Sequence, residues 1–370
     1  MFKWLFRRTA TSGSENSVGV VAIIVNYFTE DFLFGLLKIL SAEPVIDRIV
    51  IANNGSKSNL NLLTAEFFKT QILNFNENIG FGTAVNRAVQ EFPAEYFLLI
   101  NPDTLPDTGF AGHLLDVARH HKALIAGPRF FWDDRKTLRL PPALGYSWKT
   151  DFEMQLLQTG GADAKLVGHD WILRHDRFWK QDEPFFEPFI SGACMLIKND
   201  KDFFTGGKIF DEQFFLYYED TDLCYRAFAQ NKTMLVVPKA EVVHYWDQSP
   251  SAAKGSLMEE SRNKFLLKHY GQAPDFRVPA KISATKATIA DIGTINEDTT
   301  FEVDKNDFHF NLFFEIGLNI YFVPFAQAIM KGQFFKIPES VINRLKPGEY
   351  YARVRNSANK TLKIWKWKKR

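Results

Sequence analysis

Cysteine is scarce in this sequence, which has two, Cys194 and Cys224, among 370 residues. Both lie within apolar runs, and their spacing matches no metal-binding motif. This usage argues against a disulfide scaffold and is typical of a reducing compartment. We therefore expect a cytoplasmic protein with two buried thiols.

Long apolar runs are lacking as well. No stretch approaches the roughly 20 apolar residues that a membrane-spanning helix needs. The N-terminal segment MFKWLFRRTATSGSENS has neither the apolar core nor the small-residue cleavage site of a signal peptide. The sequence thus predicts a protein that neither spans a membrane nor is secreted.

An excess of charge of one sign is also missing, since 45 basic and 43 acidic residues are well mixed along the chain. This balance argues against a nucleic-acid partner. Both ends nevertheless combine aromatic and basic residues, with Trp4 near the start and Trp365 and Trp367 in KIWKWKKR. A frayed tail is one interpretation of these ends, and peripheral contact with an anionic inner-membrane surface is the other.

What is present in the first third is a repeated alternation of strand and helix. Four apolar runs predict buried strands, and helix-like segments follow or separate them. Alternation of this kind predicts a largely parallel sheet with helices on both faces, in which ligands bind beyond the carboxyl ends of the strands. The polar residues that follow the four runs, and that should therefore face one cleft, include Asn26, Asn53, Asn54, Asn78, Asn101 and Asp103.

The remainder divides into three parts. Between Trp132 and Pro184 no period is clear, and we expect loops and short helices. A strand (FEPFISGACMLIKND), a helix (YYEDTDLCYRAFAQ) and one or two strands (KTMLVVPKAEVVHYW) follow. Beyond Pro279, short β-like runs predict a small separate β domain, with a sandwich as one arrangement. The expected boundaries are 1–17 for the tail, 18–274 for the α/β domain and 280–370 for the β domain.

The NPDT run places Asp103 just beyond a buried strand. A carboxylate there can hold a divalent cation, with a diphosphate supplying further oxygen ligands. The alternative is a plain turn, because Asn-Pro-Asp-Thr is favourable turn chemistry. The residues alone leave both interpretations open.

The NENIGFG run has two glycines, Gly80 and Gly82, after a strand, as a dinucleotide-binding loop would. Val85 stands where the third glycine belongs, so we disfavour a Rossmann dinucleotide site. Gly80 still permits close backbone approach to a ligand, and Asn78 offers a side-chain amide.

Three carboxylates, Glu219, Asp220 and Asp222, crowd the start of a predicted helix. Helix capping explains some of this charge, and an ion pair between Asp222 and Arg226 four residues later explains more. The aromatic block FFLYY directly before the acids suggests another role, because walling a carboxylate off from water raises its pKa. Either Glu219 or Asp220 is therefore a candidate general base.

Five of these motifs, taken in order, resemble the inverting family 2 glycosyltransferases, in particular the bacterial branch with rhamnosyltransferase-like enzymes. The resemblance covers about two thirds of the chain, from Val18 to Tyr270. The motifs that carry it are IVIANNGS, NENIGFGTAVNRAV, LLINPDT, ISGACMLIKND and FDEQFFLYYEDTDLCYRA.

The resemblance implies an α/β GT-A fold, with a mixed and largely parallel sheet, and a nucleotide-diphosphate-sugar donor held with Mg²⁺ or Mn²⁺. By position in the motifs, Asp103 and His244 would be metal ligands, Asp220 the base, and Glu219 its helper. Asn53 stands where the family has an aspartate that contacts the nucleobase, which leaves the base of a dTDP- or UDP-sugar open. The residues that would bind donor are Asn26, Asn53, Asn54, Asn78, Gly80, Asn101, Asp103 and Gly192.

The function this resemblance implies is sugar transfer, with rhamnose as the leading sugar, to a surface polysaccharide or a lipid-linked glycan. Two alternatives stay open: a glycan-binding protein with a decayed transferase site, suggested by the single acid in NPDT, and a nucleotidyltransferase. The β domain lies outside the resemblance, and glycan binding, oligomerisation or a structural role would each suit it.

Overall fold

The computed structural model describes residues 19–246, 248, 254–271, 288–307 and 311–370. The predicted N-terminal tail, 1–17, lies outside the described residues. Within these ranges, no helix has both the length and the apolar character required to cross a membrane.

A large mixed sheet forms the first part of the described chain. Its central run β3-β2-β1-β4 is parallel, and so is the pair β6-β9, whereas β8 lies antiparallel between β4 and β6. Strands β5 and β7 both pair antiparallel with β9. The strands are β1 (Val20–Asn26), β2 (Arg48–Asn54), β3 (Thr70–Phe75), β4 (Tyr96–Ile100), β5 (Thr104–Pro106), β6 (Ile125–Phe131), β7 (Phe185–Phe186), β8 (Cys194–Lys198) and β9 (Met234–His244).

Helices cover both faces of this sheet, as the alternation predicted. Strand β1 shows why, because its successive apolar residues feed two cores. Val21 and Ile23 belong to one core with α3 and α7, and Ala22 and Ile24 to another with α1 and α4. The helices are α1 (Glu30–Ala42), α2 (Asn61–Glu66), α3 (Phe81–Glu91), α4 (Phe110–His120), α5 (Trp148–Thr159), α6 (Gly161–Lys180), α7 (Glu219–Ala229), α8 (Lys254–Tyr270) and α9 (Glu339–Arg344).

The C-terminal strands form a second sheet of order β10-β16-β15-β12-β13 and a separate β11–β14 pair. Their core also contains Val341 and Ile342 of α9, so a helix and a two-stranded pair close the core instead of the full second sheet of a sandwich. The strands are β10 (Ile289–Thr294), β11 (Thr300–Glu302), β12 (Leu312–Gly317), β13 (Phe325–Ile329), β14 (Phe334–Lys336), β15 (Gly348–Asn356) and β16 (Thr361–Lys369).

The structure contradicts the membrane interpretation of the C-terminal tryptophans. All of KIWKWKKR except Arg370 belongs to β16, where side chains alternate between the two faces of the sheet. Trp365 and Trp367 are therefore directed into the C-terminal core and are 4% and 0% exposed. Neither indole is available to insert into a lipid surface.

The segment between Trp132 and Pro184 also differs from expectation. It includes α6, a helix of 20 residues, where only short helices were predicted. It also joins the two sheets, because Leu138 and Leu140 pack in the C-terminal core and Arg139 exchanges two backbone hydrogen bonds with Gln327 of β13, at 2.7 and 2.9 Å. The segment around Arg139 thus packs against the C-terminal strands.

Candidate functional site

A cavity of about 500 Å³ opens where the carboxyl ends of β1, β2 and β4 meet the start of α7. Nine of the eleven residues singled out from the sequence line it. They are Asn54, Asn78, Gly80, Asn101, Asp103, Gly192, Glu219, Asp220 and His244. The chain thus brings together side chains from both sides of the predicted cleft.

Asn26 and Asn53 do not line the cavity. They are buried and paired in register across β1 and β2, and Nδ2 of Asn26 donates to Oδ1 of Asn53 at 3.0 Å. The amide of Asn53 in turn donates to Oδ1 of Asn74 at 3.0 Å. The atom through which Asn53 would accept from a nucleobase is therefore occupied within the protein.

The loop after β3 is held to the end of β2 by a second amide pair. Nδ2 of Asn54 donates to Oδ1 of Asn78 at 2.8 Å, and that oxygen also accepts from the backbone of Gly80 at 3.0 Å. Gly80 has φ +87°, and a Cβ there would lie 2.6 Å from the carbonyl oxygen of Phe215. Only glycine lets this loop pass so close to the segment that leads into α7.

Asp220 is fixed at the floor of the cavity by backbone groups. Its Oδ2 accepts from the N–H of Gly192 at 2.9 Å, and its Oδ1 accepts from the N–H of Thr221 at 2.7 Å. Burial raises the pKa of Asp220, and these two hydrogen bonds oppose that rise. The carboxylate is therefore held in one orientation in surroundings that favour taking up a proton.

Glu219 differs from its neighbour in lacking such support. It is 7% exposed, and its Oε2 is buried without a hydrogen-bond partner. Burial, and then the charge of Asp220, raise the pKa of Glu219 to about 8. The expectation that shielding from water raises the pKa of a carboxylate here is thus met at both acids.

The NPDT run is a turn, and that turn carries Asp103 into the cavity. Oγ1 of Thr104 donates to the carbonyl of Asn101 at 2.7 Å, and the chain then continues as β5, where Thr104 pairs with His244 of β9. This pairing sets Oδ1 of Asp103 3.6 Å from Nε2 of His244. The NPDT run therefore forms a turn and also places Asp103 where it could bind a cation.

Asp103 and His244 suit a shared divalent cation. Burial raises the pKa of Asp103, but the nearby His244 and backbone hydrogen bonds outweigh it, so the pKa is lowered and the carboxylate stays charged. Within the described ranges, no three His, Cys, Asp or Glu side chains form a cluster able to hold a metal. A cation would thus need further ligands from a substrate.

Asp222 takes the structural role predicted for it. It is fully buried, and its Oδ2 accepts from Nε of Arg226 at 2.7 Å. Lys268 and His269 of α8 contact its other oxygen, at 2.6 and 2.7 Å. Burial opposes the charge, but these partners lower the pKa of Asp222 to about 2. The charge of Asp222 thus ties α7 to α8.

Two aromatic residues of the cavity wall, Tyr27 and Trp246, were missed in the sequence, whereas Tyr217 belongs to the predicted block FFLYY. Tyr217 and Trp246 have φ of +66° and +55°, in the left-handed region. A signal was available, because Tyr27 directly follows Asn26 at a strand end and Trp246 follows His244 by two positions. The search for polar residues passed over them.

Comparison with known proteins agrees with this geometry. Residues 21–182 match the family model Glycosyl transferase family 2. The N-acetylglucosaminyl-diphospho-decaprenol L-rhamnosyltransferase of Mycobacterium tuberculosis is 28% identical over 229 residues, which cover 56% of this chain and 69% of that protein.

Two solved structures are similar at lower identity. GalNAc-T7 with UDP, GalNAc and Mn²⁺ has a TM-score of 0.45 at 13% identity, over 67% of this chain and 47% of that one. The mannosyltransferase PcManGT from Pyrobaculum calidifontis, in complex with GDP-Man and Mn²⁺, has a TM-score of 0.45 at 12% identity, over 69% and 65%.

The matched segment begins within β1. It includes Asp103 and the ends of β1, β2 and β4 that line the cavity. It confirms the resemblance seen in the motifs, and with the mixed α/β sheet and the additional C-terminal strands it confirms the predicted fold class. Residues 21–182 of the chain are thus similar to glycosyl transferase family 2.

Proposed function

We propose that the protein transfers a sugar from a nucleoside-diphosphate donor to a glycan hydroxyl, in one displacement that inverts the anomeric carbon. The observation that carries this proposal is Asp220, a partly buried carboxylate with both oxygens positioned by backbone N–H groups, in the cavity of a chain that matches the family 2 glycosyltransferase model. A fixed base beside the donor site suits direct attack by an acceptor.

In this reaction the acceptor oxygen forms a bond to the anomeric carbon as the bond from that carbon to the diphosphate breaks. The acceptor proton moves to a carboxylate oxygen of Asp220, whose raised pKa favours its uptake. Burial and the charge of Asp220 raise the pKa of Glu219 to about 8, which favours its neutral form and limits the negative charge near the departing diphosphate. The two acids thus have distinct roles set by their surroundings.

The donor's diphosphate would lie near Asp103 and His244, which would hold Mg²⁺ or Mn²⁺. When bound, the cation would neutralise charge that develops on the departing diphosphate. Asn54, Asn78, Asn101 and the backbone at Gly80 and Gly192 offer the surrounding polar groups.

For the finer specificity we propose a deoxysugar such as rhamnose as the donor sugar and a lipid-linked glycan as the acceptor. The support is the mycobacterial relative, whose name specifies an L-rhamnosyltransferase acting on N-acetylglucosaminyl-diphospho-decaprenol. A screen of dTDP- and UDP-sugars by thermal shift with Mg²⁺ or Mn²⁺ tests the donor, because a ligand of the native state raises the melting temperature. If no nucleotide sugar has this effect, the donor class is wrong.

The central test is Asp220→Asn. Removing the base should reduce turnover by about 10³-fold while leaving the donor-induced thermal shift in place. Asp202→Asn, the same change on an exposed carboxylate outside the cavity, is the matched control. Unchanged turnover in Asp220→Asn would remove this residue from the mechanism, and release of inorganic diphosphate from a nucleoside triphosphate would favour a nucleotidyltransferase instead.

A further inference from the structure

A second cavity, of about 520 Å³, lies where α6 meets the C-terminal sheet. Lys165, His169 and Ile172 contribute one face of α6, since residues three and four apart lie together on a helix. Arg353 of β15 borders the same space. This junction cavity shares no lining residue with the cavity at Asp220. Family 2 chemistry at Asp220 therefore leaves it without a role.

Arg353 is the buried polar group of the junction cavity. The residue is 7% exposed, and its guanidinium packs over the ring of Phe322, 4.2 Å from the centroid. Its Nε donates to Oε2 of Glu315 at 2.5 Å, but its Nη2 is buried without a hydrogen-bond partner. Burying a charged donor without an acceptor costs free energy. Binding of a ligand that supplies an acceptor is therefore favoured.

Glu315 is already engaged by other groups. Its Oε1 accepts from Nε of Arg355 at 2.5 Å and from Nε2 of Gln327 at 3.1 Å. The carboxylate of Glu315 is thus shared between two guanidinium groups. Arg353 itself lines the junction cavity, so a ligand there would lie beside a guanidinium that Glu315 satisfies only in part.

The charge of the junction cavity points to an anion. Among the described residues that line it, Lys165, His169, Arg353 and Lys363 are basic and none is acidic. Nζ of Lys363 donates to the carbonyl of Glu302 at 3.1 Å, so its charge is used elsewhere. Lys165 and His169 of α6 and Arg353 of β15 remain as donors that line one space.

We infer that the junction cavity binds a phosphate group. A phosphate presents several strong acceptor oxygens and negative charge, which match a guanidinium edge, an ammonium and an imidazole. A phospholipid headgroup and a soluble phosphate or diphosphate share this chemistry. The site links α6 to β15 and so holds the two sheets of the protein together when it is occupied.

The test uses the full chain with EDTA present and inorganic pyrophosphate as the probe. Pyrophosphate should raise the melting temperature of the wild type more than chloride at equal ionic strength. Lys165→Glu, an exposed position on α6, should weaken pyrophosphate binding about tenfold, because a charge-assisted donor is replaced by a like charge. Lys331→Glu, the same change on an exposed turn outside the cavity, should bind pyrophosphate like the wild type.

A second arm separates the two sources of phosphate. Sedimentation with phosphatidylcholine vesicles containing phosphatidylglycerol should show binding that Lys165→Glu reduces if a headgroup occupies the site. Binding of pyrophosphate without vesicle binding identifies a soluble ligand, and either result supports a phosphate site. Equal pyrophosphate stabilisation of the wild type and Lys165→Glu, or no stabilisation of the wild type together with no vesicle binding, overturns the inference.

Discussion

The backbone N–H of Gly192 donates to Oδ2 of Asp220 at 2.9 Å, and a Cβ at residue 192 would lie 3.1 Å from that same oxygen. Gly192→Ala should therefore displace the carboxylate by a few tenths of an ångström. We expect turnover to fall about tenfold, because catalysis is sensitive to small misplacement of a reacting group. Steady-state release of the nucleoside diphosphate measures it.

Gly112 of α4 provides the matched control for this change. A Cβ there would meet no atom within 4 Å, so Gly112→Ala should leave turnover unchanged. If both glycine variants are fully active, close contact at Gly192 does not position Asp220.

Glu219 should make stability depend on pH. Its ordinary pKa is 4.5 and its folded pKa is about 8, so between these values the unfolded chain releases a proton that the native protein keeps. The free energy of unfolding contributed by this group therefore falls as pH rises through that window. Relative to Glu219→Gln, the wild type should lose stability between about pH 5 and about pH 8, as urea denaturation at both pH values would show.

The comparison with Glu219→Gln reports on Glu219 together with Asp220, whose charge acts on it, because titrating residues elsewhere contribute equally to both proteins. Glu260→Gln, at an exposed carboxylate paired with Lys264, is the control and should give the same difference from wild type at both pH values. A pH-independent difference for Glu219→Gln would show that Glu219 is ionised in the folded state.

Removal of metal should abolish the proposed transfer, and Asp103 and His244 should set the metal requirement. EDTA should stop turnover, and Mg²⁺ or Mn²⁺ should restore it. His244→Ala should raise the metal concentration for half-maximal activity at least about tenfold. His113→Ala, an exposed histidine on α4, should leave that concentration unchanged. Full activity of the wild type in EDTA would contradict the metal proposal.

Asp222→Asn should destabilise the fold without touching the reacting groups. The variant leaves Arg226, Lys268 and His269 around an uncharged side chain, and breaking a buried ion pair costs about 3–5 kcal/mol. The folded pKa of Asp222 is lowered to about 2 from 3.8, so its stabilisation is present above pH 3.8 and is lost as pH falls toward 2. Urea denaturation at neutral and acidic pH checks both, and a loss below about 1 kcal/mol, typical of exposed pairs, would contradict the prediction.

Local patterns in the sequence sufficed for the architecture of the site. Apolar runs that end in polar residues identify the strands and their carboxyl ends, and the acids after FFLYY identify the start of α7. The register of the strands could not be predicted, because it depends on which residues pair between strands that are distant in the sequence. Register places Asn26, Asn53 and Asn74 side by side and so removes Asn26 and Asn53 from the cavity wall.

At the C-terminus, the alternation of lysine and tryptophan is the period of a strand with one buried face, and the sequence contained that signal. Aromatic and basic composition led instead to the membrane interpretation. The strand pattern accounts for both buried tryptophans, because Trp365 and Trp367 lie two residues apart on β16 and are both directed into the C-terminal core.

The pairing of Arg139 with Gln327 has a consequence for synthesis of the chain. Leu138 and Leu140 leave the ribosome well before β12 to β16, the strands that bury them. The nascent chain therefore exposes an apolar segment until translation is nearly complete, and exposed segments of this kind favour aggregation and chaperone binding. A fragment that stops at residue 274 would keep that exposed segment permanently.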